Sequence, residues 1–118
     1  MRKAAVATLP LPHGVREAIE DFLQRISERA GDRVREVILY GSMARGDAGP
    51  ESDVDLLVVW DGARADARDV LSGTATDIFL RRGVDLSPHP VTLEHLADLR
   101  AMRTAFYEEV ERDGVQLS

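Results

Sequence analysis

Apolar residues recur along the chain at a helical spacing in three segments. From His13 to Gly31 they follow one another in steps of one, three or four residues, as on one face of an amphipathic helix, at positions 15, 19, 22, 23, 26 and 30. The same spacing returns between Ala63 and Arg82. Thr92, a favourable N-cap residue, precedes a further segment that ends at Asp113. The pattern therefore predicts three helices.

Other segments have the composition of β-strands. Residues 34–40 are rich in β-branched side chains, and residues 54–60 form a continuous apolar run that is typical of a strand covered on both faces. A short strand is predicted at 83–87, where Pro88 and Pro90 are expected to end it because proline cannot donate to a strand ladder. Between the first two strands, residues 41–52 are small and polar and predict a loop, with a helical turn at residues 43–46.

The order of these elements indicates the fold class. Helix, strand, loop, strand, helix, strand and helix, with a possible last strand at 115–117, predict an α/β (α+β) fold with a small mixed sheet flanked by helices. Residues 1–12, broken by Pro10 and Pro12, are expected to form a loose leader. Residues 13–118 are expected to form a single domain.

Composition narrows the class of protein further. With 44% apolar and 31% charged residues the chain is typical of a globular protein, and the lack of cysteine excludes disulfides and thiolate metal sites. A net charge of −6 argues against direct binding to nucleic acid, which favours a basic surface. No apolar run approaches the roughly 20 residues of a membrane span, so the cytoplasm is the expected location.

Two aspartates stand at the beginning of the second predicted strand, in the motif Asp53-Val54-Asp55. Because side chains alternate along a strand, both carboxylates are expected on one face, where their mutual repulsion favours a bound cation. Hard divalent cations such as Mg²⁺ prefer oxygen ligands. Asp85 is the candidate third ligand, since the predicted strand 83–87 places it between two apolar residues. Three such carboxylates would suit two metal ions, the arrangement used in phosphoryl transfer.

The complementary half of a phosphate site precedes these acids. Gly41 follows the first predicted strand, where glycine lets backbone N–H groups turn toward an anion, and Ser42 adds a hydroxyl donor. Arg45 is a candidate for gripping phosphate oxygens, because a guanidinium can bind them bidentately. Phosphate donors beside metal-binding acids are the parts of a nucleoside triphosphate site.

The string GSMARG, followed by SDVDLLV with ten residues between Ser42 and Asp53, resembles the signature of the DNA polymerase β nucleotidyltransferase superfamily. It is similar to the small stand-alone branch, the minimal nucleotidyltransferases (MNT). The resemblance extends from Val34 to Leu117 and implies the polymerase β-like nucleotidyltransferase fold.

The resemblance also implies roles for the matching residues. Gly41 and Ser42 would hold the triphosphate, Asp53 and Asp55 would bind two Mg²⁺ ions, and Asp85 would bind one of them and help to deprotonate the acceptor hydroxyl. Proteins of this size resemble antitoxins that add AMP from ATP to a tyrosine of a partner HEPN-domain toxin. The implied partners are therefore ATP and a HEPN toxin, with a hetero-oligomer or a homo-oligomer as the expected assembly.

Two other functions stay open on the residues alone. The chain could be a non-catalytic module that neutralises a toxin by covering it, although the presence of all three acids argues against a loss of catalytic activity. It could also be an adenylyltransferase for a small antibiotic-like hydroxyl compound. The three histidines are too scattered along the chain to predict a zinc site.

Overall fold

The computed structural model describes residues 1–49 and 52–117. Within this part of the chain, helices and strands follow in the order β1 (Arg2–Lys3), α1 (His13–Ala30), β2 (Val34–Tyr40), α2 (Ser42–Arg45), β3 (Val54–Trp60), α3 (Arg64–Arg82), β4 (Leu86–Thr92), α4 (Leu93–Met102), α5 (Ala105–Asp113) and β5 (Val115–Gln116). The predicted loop 41–52 includes residues 50 and 51, which lie outside the described residues, as does residue 118.

The strands form one mixed sheet in the order β1-β5-β2-β3-β4. At its centre β2 and β3 pair antiparallel, and Tyr40 lies opposite Asp55. The edge strand β4 runs parallel to β3, with Val54 opposite Leu86. On the other side β5 pairs antiparallel with β2 and parallel with β1. The predicted α/β fold with a small mixed sheet is confirmed.

Helices cover both faces of this sheet. On one face, α1 and α3 bury Phe22 and Leu71 against β3 residues such as Leu56. On the other face, α4 and α5 bury Leu96 and Val110 in a second, smaller core. Strand β3 contributes alternate side chains to the two cores, which explains its unbroken apolar run.

The strand predicted at residues 83–87 is displaced along the chain. The observed β4 begins at Leu86 and continues through Pro88 and Pro90 to Thr92, so the expectation that these prolines end the strand was wrong. Because β4 is an edge strand, every second residue directs its backbone N–H away from the sheet, and prolines two residues apart can both take such positions. Asp85 consequently lies just before the strand rather than within it.

The segment 1–12 differs from the expected loose leader. Its apolar residues Val6, Leu9 and Leu11 are buried, with exposed fractions of 6, 4 and 7%. The Arg16 guanidinium donates hydrogen bonds to the carbonyls of Leu9 and Leu11, at 2.9 and 3.1 Å. The apolar side chains of Val6, Leu9 and Leu11 therefore complete the core beneath α1.

The helix predicted from Thr92 to Asp113 is divided into α4 and α5. Thr92 caps α4 as expected, since its hydroxyl accepts a hydrogen bond from the His95 N–H. Arg103 then adopts a positive φ of 50°, and the Thr104 hydroxyl caps α5 by accepting from the Tyr107 N–H. A second N-capping threonine thus begins a new helix. Among the described residues, the helices are all too short or too polar to cross a bilayer.

Candidate active site

Gly41 and Asp55 approach each other at the end of the central strand pair. Gly41 follows β2 directly and has φ +74°, a conformation that L-residues with side chains rarely adopt. A Cβ atom at this position would lie 2.7 Å from Oδ2 of Asp55, which is shorter than any normal contact. Glycine is therefore required here both for its backbone conformation and for the space that the Asp55 carboxylate occupies.

A single turn of helix, α2, begins immediately after Gly41. The Gly41 carbonyl accepts hydrogen bonds from the N–H groups of Ala44 and Arg45, each at 3.1 Å, and Ser42 is half-buried at the first position. The helical turn expected at residues 43–46 is thus present one residue earlier. It holds the Gly-Ser pair beside the strand end that carries Asp55.

Arg45 is held by two carboxylates rather than pointing freely into the site. Its Nε donates to Asp47 at 3.2 Å, and one terminal nitrogen donates to Glu109 at 3.1 Å. The hydrogen bond from Arg45 to Asp47, with Glu109 nearby, raises the pKa of the guanidinium. Both carboxylate partners are exposed, so a phosphate could compete with either of them for the guanidinium.

Asp53 and Asp85 meet at the same end of two parallel strands. Each directly precedes a residue of the Val54–Leu86 register pair, and both side chains are exposed. They line one cavity of about 520 Å³, which Met43 also borders. The structure therefore brings these two predicted site residues to a shared cavity.

The carboxylates of the Asp-Val-Asp motif have the donor chemistry that magnesium favours. In the part of the chain that the structure describes, neither Asp53 nor Asp55 forms an ion pair with arginine or lysine, although many other acids there do. Their oxygens are thus left for another cation, and hard ions such as Mg²⁺ bind oxygen ligands. Across residues 1–49 and 52–117, no group of three or more acids and histidines is close enough to form a ready metal site.

An aromatic cluster surrounds Asp55 on the side of α5. The ring of Tyr40 packs edge-on against Phe106, with centroids 5.5 Å apart, and is tilted 6.1 Å from His89. Nε2 of His89 lies 3.7 Å from Oδ1 of Asp55. Burial, with smaller contributions from Asp55 and Glu109, raises the pKa of Tyr40 to about 12. The Tyr40 phenol accordingly stays protonated at neutral pH.

Sequence reasoning missed three members of this environment. His89 was not predicted near the acids, because β4 was expected to end before it. Phe106 lies on α5 and is 40% exposed, and its place beside Tyr40 depends on how α5 packs. Glu109, which binds Arg45, lies far along the chain on a different helix, and no local pattern points to it.

The chain is similar to known proteins over most of its length. The model of a family described as "Nucleotidyltransferase domain" matches residues 19–115. Two relatives come from Methanocaldococcus jannaschii and are both named "Putative protein adenylyltransferase". The first, MJ1305, is 38% identical over 73 residues, which are 59% of this chain and 50% of the relative. The second, MJ0141, is 32% identical over 102 residues, which are 86% of this chain and 96% of the relative.

A solved structure shares the fold. It is a toxin–antitoxin crystal structure with AMP-PNP, which superposes with a TM-score of 0.56 at 21% identity and covers 84% of this chain and 72% of that one. The chain spans only half the length of the first relative, whereas it matches nearly all of the second. The family model includes both the Gly-Ser turn and the Asp-Val-Asp strand. The chain belongs to the nucleotidyltransferase domain family.

Proposed function

We propose that the protein is a Mg²⁺-dependent adenylyltransferase that moves AMP from ATP to a hydroxyl of a partner protein. The observation that carries this proposal is the close approach of Gly41 to the Asp55 carboxylate, because it joins the phosphate-binding turn to the metal-binding acids. An ordinary turn would need a glycine only for its backbone conformation. Gly41 is also needed for space, because a Cβ atom there would lie 2.7 Å from the Asp55 carboxylate.

Each site residue takes a role that its chemistry supports. Gly41, Ser42 and Arg45 bind the triphosphate. Asp53 and Asp55 hold two Mg²⁺ ions, and Asp85 is the third ligand and helps to remove the acceptor proton. When bound, the metal ions neutralise phosphate charge and stabilise the attacking and leaving oxygens.

The proposed reaction is an in-line displacement at the α-phosphate. The acceptor oxygen forms a bond to the α-phosphorus while the bond from that phosphorus to the bridging oxygen breaks. Pyrophosphate leaves with the bonding electron pair, and the hydroxyl proton passes to the Asp85 carboxylate and then to water. The products are AMP-modified acceptor and pyrophosphate, so atoms and charge balance.

We further propose that the acceptor is a HEPN-domain toxin and that the protein is its antitoxin. Support comes from the names of the relatives, which describe protein adenylyltransferases, and from the fold shared with a toxin–antitoxin complex solved with AMP-PNP. ATP is a cytoplasmic metabolite, so we place the reaction in the cytoplasm. Complex formation with the toxin is the proposed assembly.

The test is transfer of α-labelled AMP to protein. The purified chain is incubated with Mg²⁺, labelled ATP and the toxin candidate, beside the Asp55→Asn variant. We expect a labelled band with the wild type and a loss of at least about a hundredfold in rate with Asp55→Asn. Retained transfer by Asp55→Asn would refute the role of the acid.

A parallel binding measurement separates the alternatives. ATP with Mg²⁺ should raise the free energy of unfolding by about 2.7 kcal/mol at a hundred times Kd. Binding without transfer to protein would favour a small-molecule acceptor. A lack of both binding and transfer would favour a module that neutralises the toxin by contact alone.

A further inference from the structure

The second half of α3 exposes an apolar surface to solvent. Phe79 and Leu80 are 51 and 76% exposed. Between residues 71 and 80 the one charged residue is Asp77, which pairs with Arg29, whereas the exposed positions in the first turns of the same helix are rich in Arg and Asp. The uncharged exposed residues of this half form the α3 surface, which consists of Ser72, Gly73, Thr76, Phe79 and Leu80.

The α3 surface is continuous with the candidate active site through one side chain. Asp85 lines a cavity of about 210 Å³ together with Ala75, Thr76 and Phe79. The same aspartate lines the larger cavity that contains Asp53. A molecule lying on the α3 surface would therefore present its groups at the carboxylate that we assign to the acceptor side of the reaction.

The fold itself does not use the residues of the α3 surface. Packing of α3 relies on other positions of the helix, such as Ala67, Leu71 and Ile78. A Cβ atom on Gly73 would meet nothing within 4 Å, so nothing within the chain requires a glycine there. Glycine is unfavourable in a helix interior, and adjacent large apolar side chains in water are typical of interaction sites.

We propose that the α3 surface docks the acceptor protein, through a segment whose hydroxyl-bearing residue is flanked by apolar side chains and lacks acids. This inference rests on the proposed function, because it names where the acceptor of that reaction binds. An open helix face outside the cavity suits a polypeptide, since a small alcohol would need only the cavity. Acidic side chains in place of the apolar ones would lose the contact with Phe79 and Leu80.

A second copy of this chain is a less favourable occupant of the surface. Each copy has a net charge of −6, so two copies repel one another at low ionic strength. The acceptor segment, in contrast, can carry neutral or basic residues. Self-association through α3 is therefore an outcome that the experiment must detect.

The first measurement maps peptide binding on the ¹⁵N-labelled protein by NMR. Two probes are used: a peptide with a single tyrosine flanked by leucines, and a matched peptide with glutamates in place of the leucines. We expect the leucine peptide to shift the amide resonances of residues 72–80 and the glutamate peptide to leave them unchanged. Shifts confined to another surface, or no shifts with either peptide, would overturn the docking proposal.

The second measurement follows AMP transfer to the leucine peptide by two matched variants. Leu80→Glu places a charge on the α3 surface, while Met102→Glu does so on α4, at a residue that is 73% exposed on the opposite side of the sheet. We expect Leu80→Glu to lower kcat/KM by about tenfold or more, the effect of losing one buried leucine contact. Met102→Glu should keep the wild-type value, and both variants should keep the thermal shift with MgATP.

Failure of docking and failure of the proposed function give different results. If Leu80→Glu transfers AMP as fast as wild type, the α3 surface does not bind the acceptor. If sedimentation shows that Leu80→Glu converts an oligomer to a monomer without changing peptide binding, a second copy covers the surface. If the leucine peptide binds at residues 72–80 but neither MgATP binding nor transfer is seen, the α3 surface binds a polypeptide, whereas the proposed function falls and with it the identification of that polypeptide as an acceptor.

Discussion

At the scale of single residues, the most constrained position of the site is Gly41. Five glycines have positive φ, including Gly41 and Gly46 at the two ends of α2. Only at Gly41, among these five, would a Cβ atom come within 3.0 Å of another atom, and that atom belongs to Asp55. Gly46 adopts the left-handed region, with φ 79° and ψ 13°, whereas Gly41 has φ 74° and ψ −155°, and a side chain on Gly41 would also touch Asp55.

This difference makes Gly41→Ala and Gly46→Ala a matched pair. Gly46→Ala should lower the free energy of unfolding by about 1–2 kcal/mol, because alanine is strained in the left-handed region. Gly41→Ala should lower it by more, because its backbone conformation is essentially restricted to glycine. Gly41→Ala should in addition weaken MgATP binding by about tenfold or more, since the methyl group displaces the Asp55 carboxylate. Urea unfolding and calorimetric titration measure the two effects. Equal loss of MgATP binding in both variants would mean that the contact between Gly41 and Asp55 has no part in the site.

At the scale of helices, α1 and α3 are joined by Asp21 on α1. Its carboxylate accepts hydrogen bonds from Arg82 of α3 at 3.0 Å and from Arg25 at 2.7 Å. Burial tends to raise the pKa of Asp21, but the hydrogen bonds from Arg82 and Arg25 outweigh burial and lower it below 3.8. A carboxyl whose pKa is lowered in the folded state stabilises the fold when it is ionised.

We therefore expect Asp21→Asn to lower the free energy of unfolding by about 1–2 kcal/mol at neutral pH. The difference from wild type should hold above pH 3.8 and shrink as the pH falls further, because Asp21 is then protonated in both states. Asp77→Asn is the control: Asp77 also joins α3 to α1, through Arg29, but its side chain is 39% exposed. Urea unfolding across this pH range measures both variants, and a loss for Asp21→Asn no larger than for Asp77→Asn would contradict the argument.

Helices and strands were predicted correctly where buried residues recur with a regular spacing. The prediction failed where strand pairing determines the bounds of the element. Helices α1 and α3 and strands β2 and β3 were predicted within a residue or two, because their periodicity reflects which side chains are buried. The bounds of β4 were predicted wrongly, because its two prolines are tolerated only at the edge of the sheet, where β4 lies in the part of the chain that the structure describes. The position of a strand within a sheet depends on its pairing partners, which the local sequence does not specify.

At the scale of the whole molecule, the N-terminal segment belongs to the main core. Leu9 is 4% exposed and packs in the same cluster as Phe22 of α1 and Leu56 of β3. Residues 1–3 also reach the far edge of the sheet, where β1 pairs with β5. The segment therefore connects α1 to the edge of the sheet where β1 pairs with β5.

Leu9→Ala should accordingly lower the free energy of unfolding by about 2–5 kcal/mol, as removal of a buried leucine does in a packed core. Leu80→Ala removes the same atoms from a side chain that is 76% exposed, and it should change stability by no more than about 0.5 kcal/mol. Chemical denaturation measures both. A small effect of Leu9→Ala would show that the segment is loosely attached after all.

The sequence by itself determined the chemistry and the central elements of this protein. Gly41-Ser42 and Asp53-Val54-Asp55 could be identified because residue type and spacing are local, and they led to the family that the later comparison confirmed. Only the tertiary structure decided that Asp85 meets Asp53 at a shared cavity, that Arg45 is bound by Glu109 and that His89 approaches Asp55. These contacts join residues far apart in the chain, so they depend on the register between strands and on the placement of α5, which the pairing of the whole sheet sets.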